Sequence, residues 1–198
     1  MAEARLAKEM LPVNGNGRLA SGWWGMLCLL ATEGILFAYL IFSYAYLGSQ
    51  APGGWPPGGA PSLKLALPNT VLLIASSVVL EIGARRYRIG KDKSTVPVLL
   101  LTAAMGALFV YVQVREWAHK GFGLTDSSYS SIYFTLTGFH LAHVVAGILA
   151  LLVLAIWGFE GRLARGGLHL LLGRIYWHFV DAVWIILFLT IYLVPQQP

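Results

Sequence analysis

The sequence predicts an all-α protein: a polytopic transmembrane bundle of five helices in a single domain. Hydrophobic residues make up 57% of the 198 residues and charged residues only 12%. The mean hydropathy is +0.67, far outside the range of a soluble domain. The apolar runs are long and unbroken, whereas the strands of a membrane barrel would alternate over about ten residues. Helices are therefore the expected form.

Five segments are long enough to cross the roughly 30 Å hydrocarbon core, for which a helix needs about 20 apolar residues. They are expected at Trp23–Leu47, Leu67–Ala84, Val96–Val114, Ile132–Trp157 and Tyr176–Val194, all within one membrane domain at 22–198. Residues 1–21 are expected to form a polar cytoplasmic segment, since they lack the apolar stretch of a signal peptide. The Pro- and Gly-rich linker Gly48–Pro61 disfavours helix, and Trp55 is expected to anchor it at the membrane interface.

Orientation is predicted from the lysine and arginine residues. Eleven of the 14 flank alternate ends of the helices on the side of the N-terminus. They are Arg5, Lys8, Arg18, Arg85, Arg86, Arg88, Lys91, Lys93, Arg162, Arg165 and Arg174. This bias predicts that the N-terminus lies inside and the C-terminus outside. The net charge of +5 is therefore read as topology and attraction to anionic lipid, with no role for nucleic acid.

The first predicted helix contains Glu33 in "CLLATEGILF". Glu33 lies about 15 Å along the helix from Trp23, near the midplane, where a charge costs about 2.5–3.5 kcal/mol. Three interpretations remain open: a carboxyl hydrogen-bonded to a histidine or a backbone carbonyl, a proton-handling carboxyl, or a direct contact with lipid or a partner. His143 is the depth-matched candidate partner. The lone Cys28 of this helix is expected to be a small core residue.

The second helix opens with "LPNT" and the third closes with "QVREW". Glu81 and Glu116 are expected to be relieved by their neighbours Arg85 and Arg115 at the helix ends. Gln113 and Glu116 share a helix face, and Trp117 fits an aromatic belt. These three residues, Gln113, Glu116 and Trp117, are predicted to form an interfacial anchor or a contact with lipid or a partner.

The fourth helix carries His140 and His143, together with small residues that are expected to let neighbouring backbones approach. Those small residues are Gly138, Ala142, Ala146 and Gly147. The spacing of the two histidines suits two ligands of a copper or zinc site, but no third ligand is obvious. Histidines hydrogen-bonded in a bundle core are the alternative that we favour.

The fifth helix contains "YWHFVDAVW". His178 and Asp181 are expected in its first two turns, near the inner face, paired with each other or with a neighbouring helix. A proton-linked role is the alternative to structural pairing. The stripe of Trp177, Asp181, Trp184 and Phe188 predicts a helix–helix contact. Because His178 is expected roughly 10 Å or more from the depth of the other two histidines, bis-histidine haem ligation is not expected.

The five segments resemble the helices of subunit III of haem–copper respiratory oxidases, in order. The matching stretches are "WWGMLCLLATEGILFAYLIFSYAY", "NTVLLIASSVVLE", "GALFVYVQVREW", "YFTLTGFHLAHVVAG" and "YWHFVDAVWIILFLTIYL". The resemblance implies a non-catalytic subunit of a proton-pumping cytochrome c oxidase that supports proton uptake and stabilises the catalytic subunit. It implies no cofactor in this chain, haem and copper in partner subunits I and II, and structural phospholipid in helix clefts.

The resemblance also suggests roles for individual residues. Glu33 matches the family carboxyl that reacts with carbodiimides, His178 and Asp181 match its "WHFVD", and His140 and His143 match its paired histidines. The mitochondrial-type subunit has two further helices, which form one wall of its lipid cleft, so the lipid site is not carried over. Five-helix forms are typical of bacteria, so the expected location is the bacterial plasma membrane.

Three alternatives remain open. Two are accessory subunits of related complexes, a quinol oxidase or a nitric oxide reductase. The third is a small membrane transporter with Glu33 and the histidines as its ion path, which would be expected to show broken helices or half-repeats.

Overall fold

The computed structural model describes residues 21–52, 54–57, 59, 61–88, 95–163 and 167–193. Within these residues, five α helices follow one another and a π turn, Leu189–Leu193, ends the fifth. The helices are α1 (Ser21–Ser49), α2 (Leu63–Arg88), α3 (Thr95–Ala118), α4 (Ser128–Phe159) and α5 (Leu168–Phe188). All five are long and apolar enough to cross a membrane. The all-α, five-span prediction is confirmed, whereas the polar segment 1–21, apart from Ser21, lies outside the described residues.

Helices α2 to α5 form a four-helix bundle in which α2 packs on α3 and α5, and α4 packs on α3 and α5. Helix α1 lies across α4 and α5. The indole nitrogens of Trp177 and Trp184 donate to Ser76 and Thr70 at 3.0 Å each. Because the partner number on α2 falls as the number on α5 rises, these two helices are antiparallel.

All five helices begin earlier than predicted and the first four also end later; α5 differs most. It begins at Leu168 rather than Tyr176, because the apolar run of "LHLLLGRI" continues the helix and the charge of Arg174 is matched by Glu81 across α2 at 3.4 Å. At the other end of the bundle, α4 begins early because Ser127 and Ser130 form a reciprocal capping box, which satisfies two backbone donors of its first turn.

Glycines in the bundle accommodate a side chain, which differs from the predicted approach of backbones. A Cβ added to Gly147 would lie 2.8 Å from the Trp177 ring, and one added to Gly106 would lie 2.6 Å from it. The indole is therefore held between α3 and α4. The stripe of Trp177, Asp181, Trp184 and Phe188 is buried, which confirms the predicted helix–helix contact.

Trp55 is buried, with Tyr44 and Tyr129 in edge contact at 5.4 and 5.1 Å, and its expected location at the membrane interface stays a prediction. Cys28 is exposed rather than in the core, because α1 buries only one narrow face against α4 and α5.

Candidate functional site

Glu33 and His143 meet between α1 and α4. Glu33 Oε2 lies 2.9 Å from His143 Nε2, as the match in depth predicted. His143 Nδ1 lies 2.6 Å from the carbonyl oxygen of Phe139, and since a carbonyl only accepts, Nδ1 carries a proton. A hydrogen bond between Nε2 and Oε2 needs a proton on one of these two atoms, so one further proton lies between them. The pair is electrically neutral whichever atom holds that proton.

Two aromatic residues that the sequence did not single out flank this pair. The Phe37 ring meets the His143 ring edge-on at 5.1 Å. Tyr176 donates its hydroxyl to the His143 carbonyl at 3.3 Å, which ties α5 to the same site. The sequence pattern indicates Tyr176 only as the first residue of the predicted fifth helix. The pair thus lies at the junction of α1, α4 and α5.

His140 is placed differently from its neighbour one turn away. It is buried in the bundle core, stacked on Trp184 at 4.8 Å and edge-on to Phe109 at 5.9 Å. Within the described residues neither ring nitrogen has a hydrogen-bond partner. The two histidines therefore do not form one site, because His143 faces α1 while His140 faces the core.

His178 pairs with α2 rather than with Asp181. Its Nδ1 lies 3.0 Å from Ser77 Oγ, and its Nε2 lies 3.6 Å from Glu81 Oε2. Glu81 also binds Arg85 at 3.0 Å, as expected, and Arg174. Ser77 lies beside Asp181 as well, yet neither oxygen of Asp181 makes a hydrogen bond in the described part of the chain.

The depth predicted for His178 and Asp181 needs correction. Helix α5 and its π turn span Leu168–Leu193, 26 residues, and Asp181 lies about 20 Å from Leu168. It is therefore near the middle of this span and not near its end. The physical reason is the early start of α5. His178 is likewise closer in depth to His143 than predicted, but it faces a different helix.

The cluster at the end of α3 packs inside the bundle. Gln113 and Glu116 are buried in the bundle and Trp117 is half-buried, with the Trp117 ring edge-on to Phe134 at 5.6 Å. An outward contact of Gln113 and Glu116 with lipid or a partner does not follow from this placement. The cause is that i, i+3 spacing defines a face but does not say which way the face points.

Glu116 is held by residues that the sequence analysis did not identify. Its Oε1 accepts from Tyr192 at 2.8 Å and from Tyr133 at 3.5 Å. Lys120 Nζ lies 2.9 Å from the same oxygen and over the rings of both tyrosines. The expected neighbour Arg115 is exposed. Helical i, i+4 spacing of Glu116 and Lys120 was the available signal.

The described residues contain no group of three or more His, Cys, Asp or Glu side chains placed to hold a metal ion. His140, His143 and His178 face the core, α1 and α2 respectively, so they do not fit a shared haem or metal site. The location of haem and copper in partner subunits stays a prediction.

Comparison with known proteins places these helices in context. Residues 17–195 match the family model described as "Cytochrome c oxidase subunit III". Cytochrome c oxidase subunit 3 of Synechocystis sp. is 37% identical over 177 residues, covering 86% of this chain and 74% of the relative. A probable cytochrome c oxidase subunit 3 of Nocardia farcinica is 36% identical, covering 86% of each. Cytochrome bo(3) ubiquinol oxidase subunit 3 of Pseudomonas aeruginosa is 33% identical, covering 91% and 87%.

Proposed function

This chain belongs to the cytochrome c oxidase subunit III family, and from that premise we propose that it is the non-catalytic subunit III of a proton-pumping terminal oxidase. It assembles with a catalytic haem–copper subunit I and a copper-carrying subunit II in a bacterial plasma membrane. Haem and copper reside in those partners. The observation that carries the proposal is the family match across all five helices.

The Glu33–His143 pair is the part of the chain that we assign to proton-linked support. It holds one shared proton at mid-depth, and moving that proton between Nε2 and Oε2 leaves the net charge of the pair unchanged. A neutral pair avoids most of the cost of a lone charge in the membrane. The pair is therefore suited to hold a proton near the catalytic subunit, which reduces oxygen.

The test begins with purification in a mild detergent. The wild-type chain is expected to co-purify with haem-containing and copper-containing polypeptides. In the Glu33→Gln variant the haem spectrum of the assembled complex is expected to be unchanged, while proton pumping or the number of turnovers before inactivation falls modestly. The matched control is Glu160→Gln, because Glu160 pairs with Arg162 in the loop after α4, outside the membrane. Loss of the haem spectrum from a fully assembled Glu33→Gln complex would contradict the assignment.

A quinol oxidase is the second candidate for the complex, since the Pseudomonas aeruginosa relative is a ubiquinol oxidase subunit. The two candidates differ in electron donor. Oxidation of reduced cytochrome c by the purified complex, with copper in a second subunit, favours the first candidate. Oxidation of a quinol without that copper favours the second.

A further inference from the structure

A groove of about 500 Å³ runs between α2 and α5 on the outer surface of the bundle. One set of lining residues is apolar: Ile74, Val78, Ile82, Ala182 and Ile185. The other set is polar or ionisable: Ser77, Glu81, Arg85, His178 and Asp181. We call this feature the α2–α5 groove. The apolar side chains form its rim, and the polar and ionisable side chains form its floor.

The floor of the groove holds hydrogen-bonding capacity that the described chain does not use. Asp181 is only 6% exposed, and both of its oxygens lack a partner in the described residues. A buried carboxyl without a hydrogen bond is costly. Next to it, the side chains of His178 and Glu81 remain 40% and 30% exposed. Exposure of these ionisable side chains to the hydrocarbon of the bilayer is unfavourable.

The outward faces of the other helices provide the contrast. On α1 the most exposed large side chains are Ile35, Tyr39 and Phe42, and on α4 they include Leu149 and Ile156. These side chains suit lipid tails. The α2–α5 groove differs from these apolar faces because it combines partly exposed ionisable side chains with a buried carboxyl that has no hydrogen-bond partner among the described residues.

Depth decides which occupant the groove fits. Asp181 lies near the middle of α5, about 20 Å from the first residue of that helix. A phospholipid places its headgroup at the end of the bundle, near Arg85, and its acyl chains offer no donor at the depth of Asp181. A transmembrane helix can carry a polar side chain at that depth, and interhelical hydrogen bonds of this kind stabilise membrane complexes.

We propose that the α2–α5 groove docks a transmembrane helix of another oxidase subunit, and that a hydrogen-bond donor side chain of that helix reaches Asp181. The proposal rests on the proposed function, because it requires a complex in which this chain is one subunit. The apolar rim packs against the partner helix, while the floor supplies the specific contact.

Site-specific cross-linking of the intact complex identifies the occupant. A photo-reactive amino acid is placed at Val78 or Ala182 in the groove, and at Leu149 on α4 as control, since all three positions are exposed. Adducts from the groove are expected to be polypeptides of the complex other than this chain, by mass spectrometry. A phospholipid adduct, or an adduct with a second copy of this chain, would overturn the proposal.

Substitution of Asp181 separates docking from folding. Because Asp181 has no hydrogen bond in the described chain, Asp181→Leu is expected to leave the unfolding midpoint of the isolated full chain unchanged or raised. In the complex, the retention of the Asp181→Leu chain during a detergent wash should fall about tenfold, as for the loss of one hydrogen bond. Asp181→Asn, which still accepts a hydrogen bond, should retain most of the binding. Wild-type retention of Asp181→Leu would refute the role of Asp181.

The two proposals fail in distinguishable ways. If the wild-type chain co-purifies with no oxidase polypeptide, the proposed function is wrong. If it co-purifies and both Ala182→Trp and Leu149→Trp are retained equally, the complex exists but the groove is not its docking surface. The docking proposal expects only Ala182→Trp to be lost.

Discussion

The contact between Glu33 and His143 shows how much a single residue pair can be predicted from sequence. Depth along two apolar segments was enough to match the residues, because helix rise converts position in the chain into distance across the membrane. The rotation of each helix was not predictable in the same way. His140 and His143 are three residues apart, yet one faces the core and the other faces α1.

Glu33→Leu is expected to destabilise the chain by about 1–3 kcal/mol, because it leaves Nε2 of the half-buried His143 without a partner. Glu33→Gln should cost about 1 kcal/mol or less, since its amide can still bond to the imidazole. The measurement is the free energy of unfolding in mixed micelles. Equal losses for the two variants would show that the hydrogen bond contributes nothing and that only side-chain volume matters.

Gly106→Ala is expected to cost about 1–3 kcal/mol, because its new methyl group would overlap the Trp177 ring, which is fixed between two helices. Gly25→Ala is the matched control, since an added Cβ there meets no atom within 4 Å and alanine has the higher helix propensity. The same unfolding measurement should therefore separate the two variants. A stable Gly106→Ala would mean that Trp177 can move aside.

At the scale of the element, the sequence located all five helices but misplaced their ends. Hydropathy detects the apolar middle of a helix. It does not detect terminal turns that contain charged residues, even where those residues form ion pairs with another helix. Arg174 in the first turns of α5 is one such charge, because Glu81 on α2 neutralises it. As a result, the predicted fifth helix is shorter than the observed one, and the predicted position of Asp181 is too near its end. The π turn at its other end had no sequence signal.

The π turn brings Tyr192 to Glu116 and thereby ties α5 to the end of α3. Lys120→Met is expected to destabilise this junction by about 3–5 kcal/mol, because it leaves a buried carboxylate without its cation. Tyr192→Phe removes the hydrogen bonds of its hydroxyl with Glu116 and with Tyr133 and should cost about 1–3 kcal/mol. Adding Glu116→Gln to Lys120→Met should recover stability, as measured in a double-mutant cycle. If stability is not recovered, the loss in Lys120→Met comes from the contacts of Lys120 with the rings of Tyr133 and Tyr192.

At the scale of the whole molecule, the class and the order of spans were predictable because composition and segment length depend on the bilayer more than on side-chain detail. The surface through which the bundle binds a partner was harder to predict from the sequence. The unused carboxyl of Asp181 becomes visible only when α2 and α5 are placed side by side, since sequence alone does not show which polar groups remain without partners.

The inside location of the N-terminus stays a prediction of the lysine and arginine bias, and it can be tested with two introduced cysteines in a Cys28→Ala background. Thr125 lies in the loop between α3 and α4, and Arg162 in the loop between α4 and α5. Because α4 crosses the membrane between them, a membrane-impermeant thiol reagent should label Thr125→Cys only from outside and Arg162→Cys only from inside. The reversed pattern would overturn the orientation but keep the five spans. Labelling of both from one side would overturn the crossing of α4 itself.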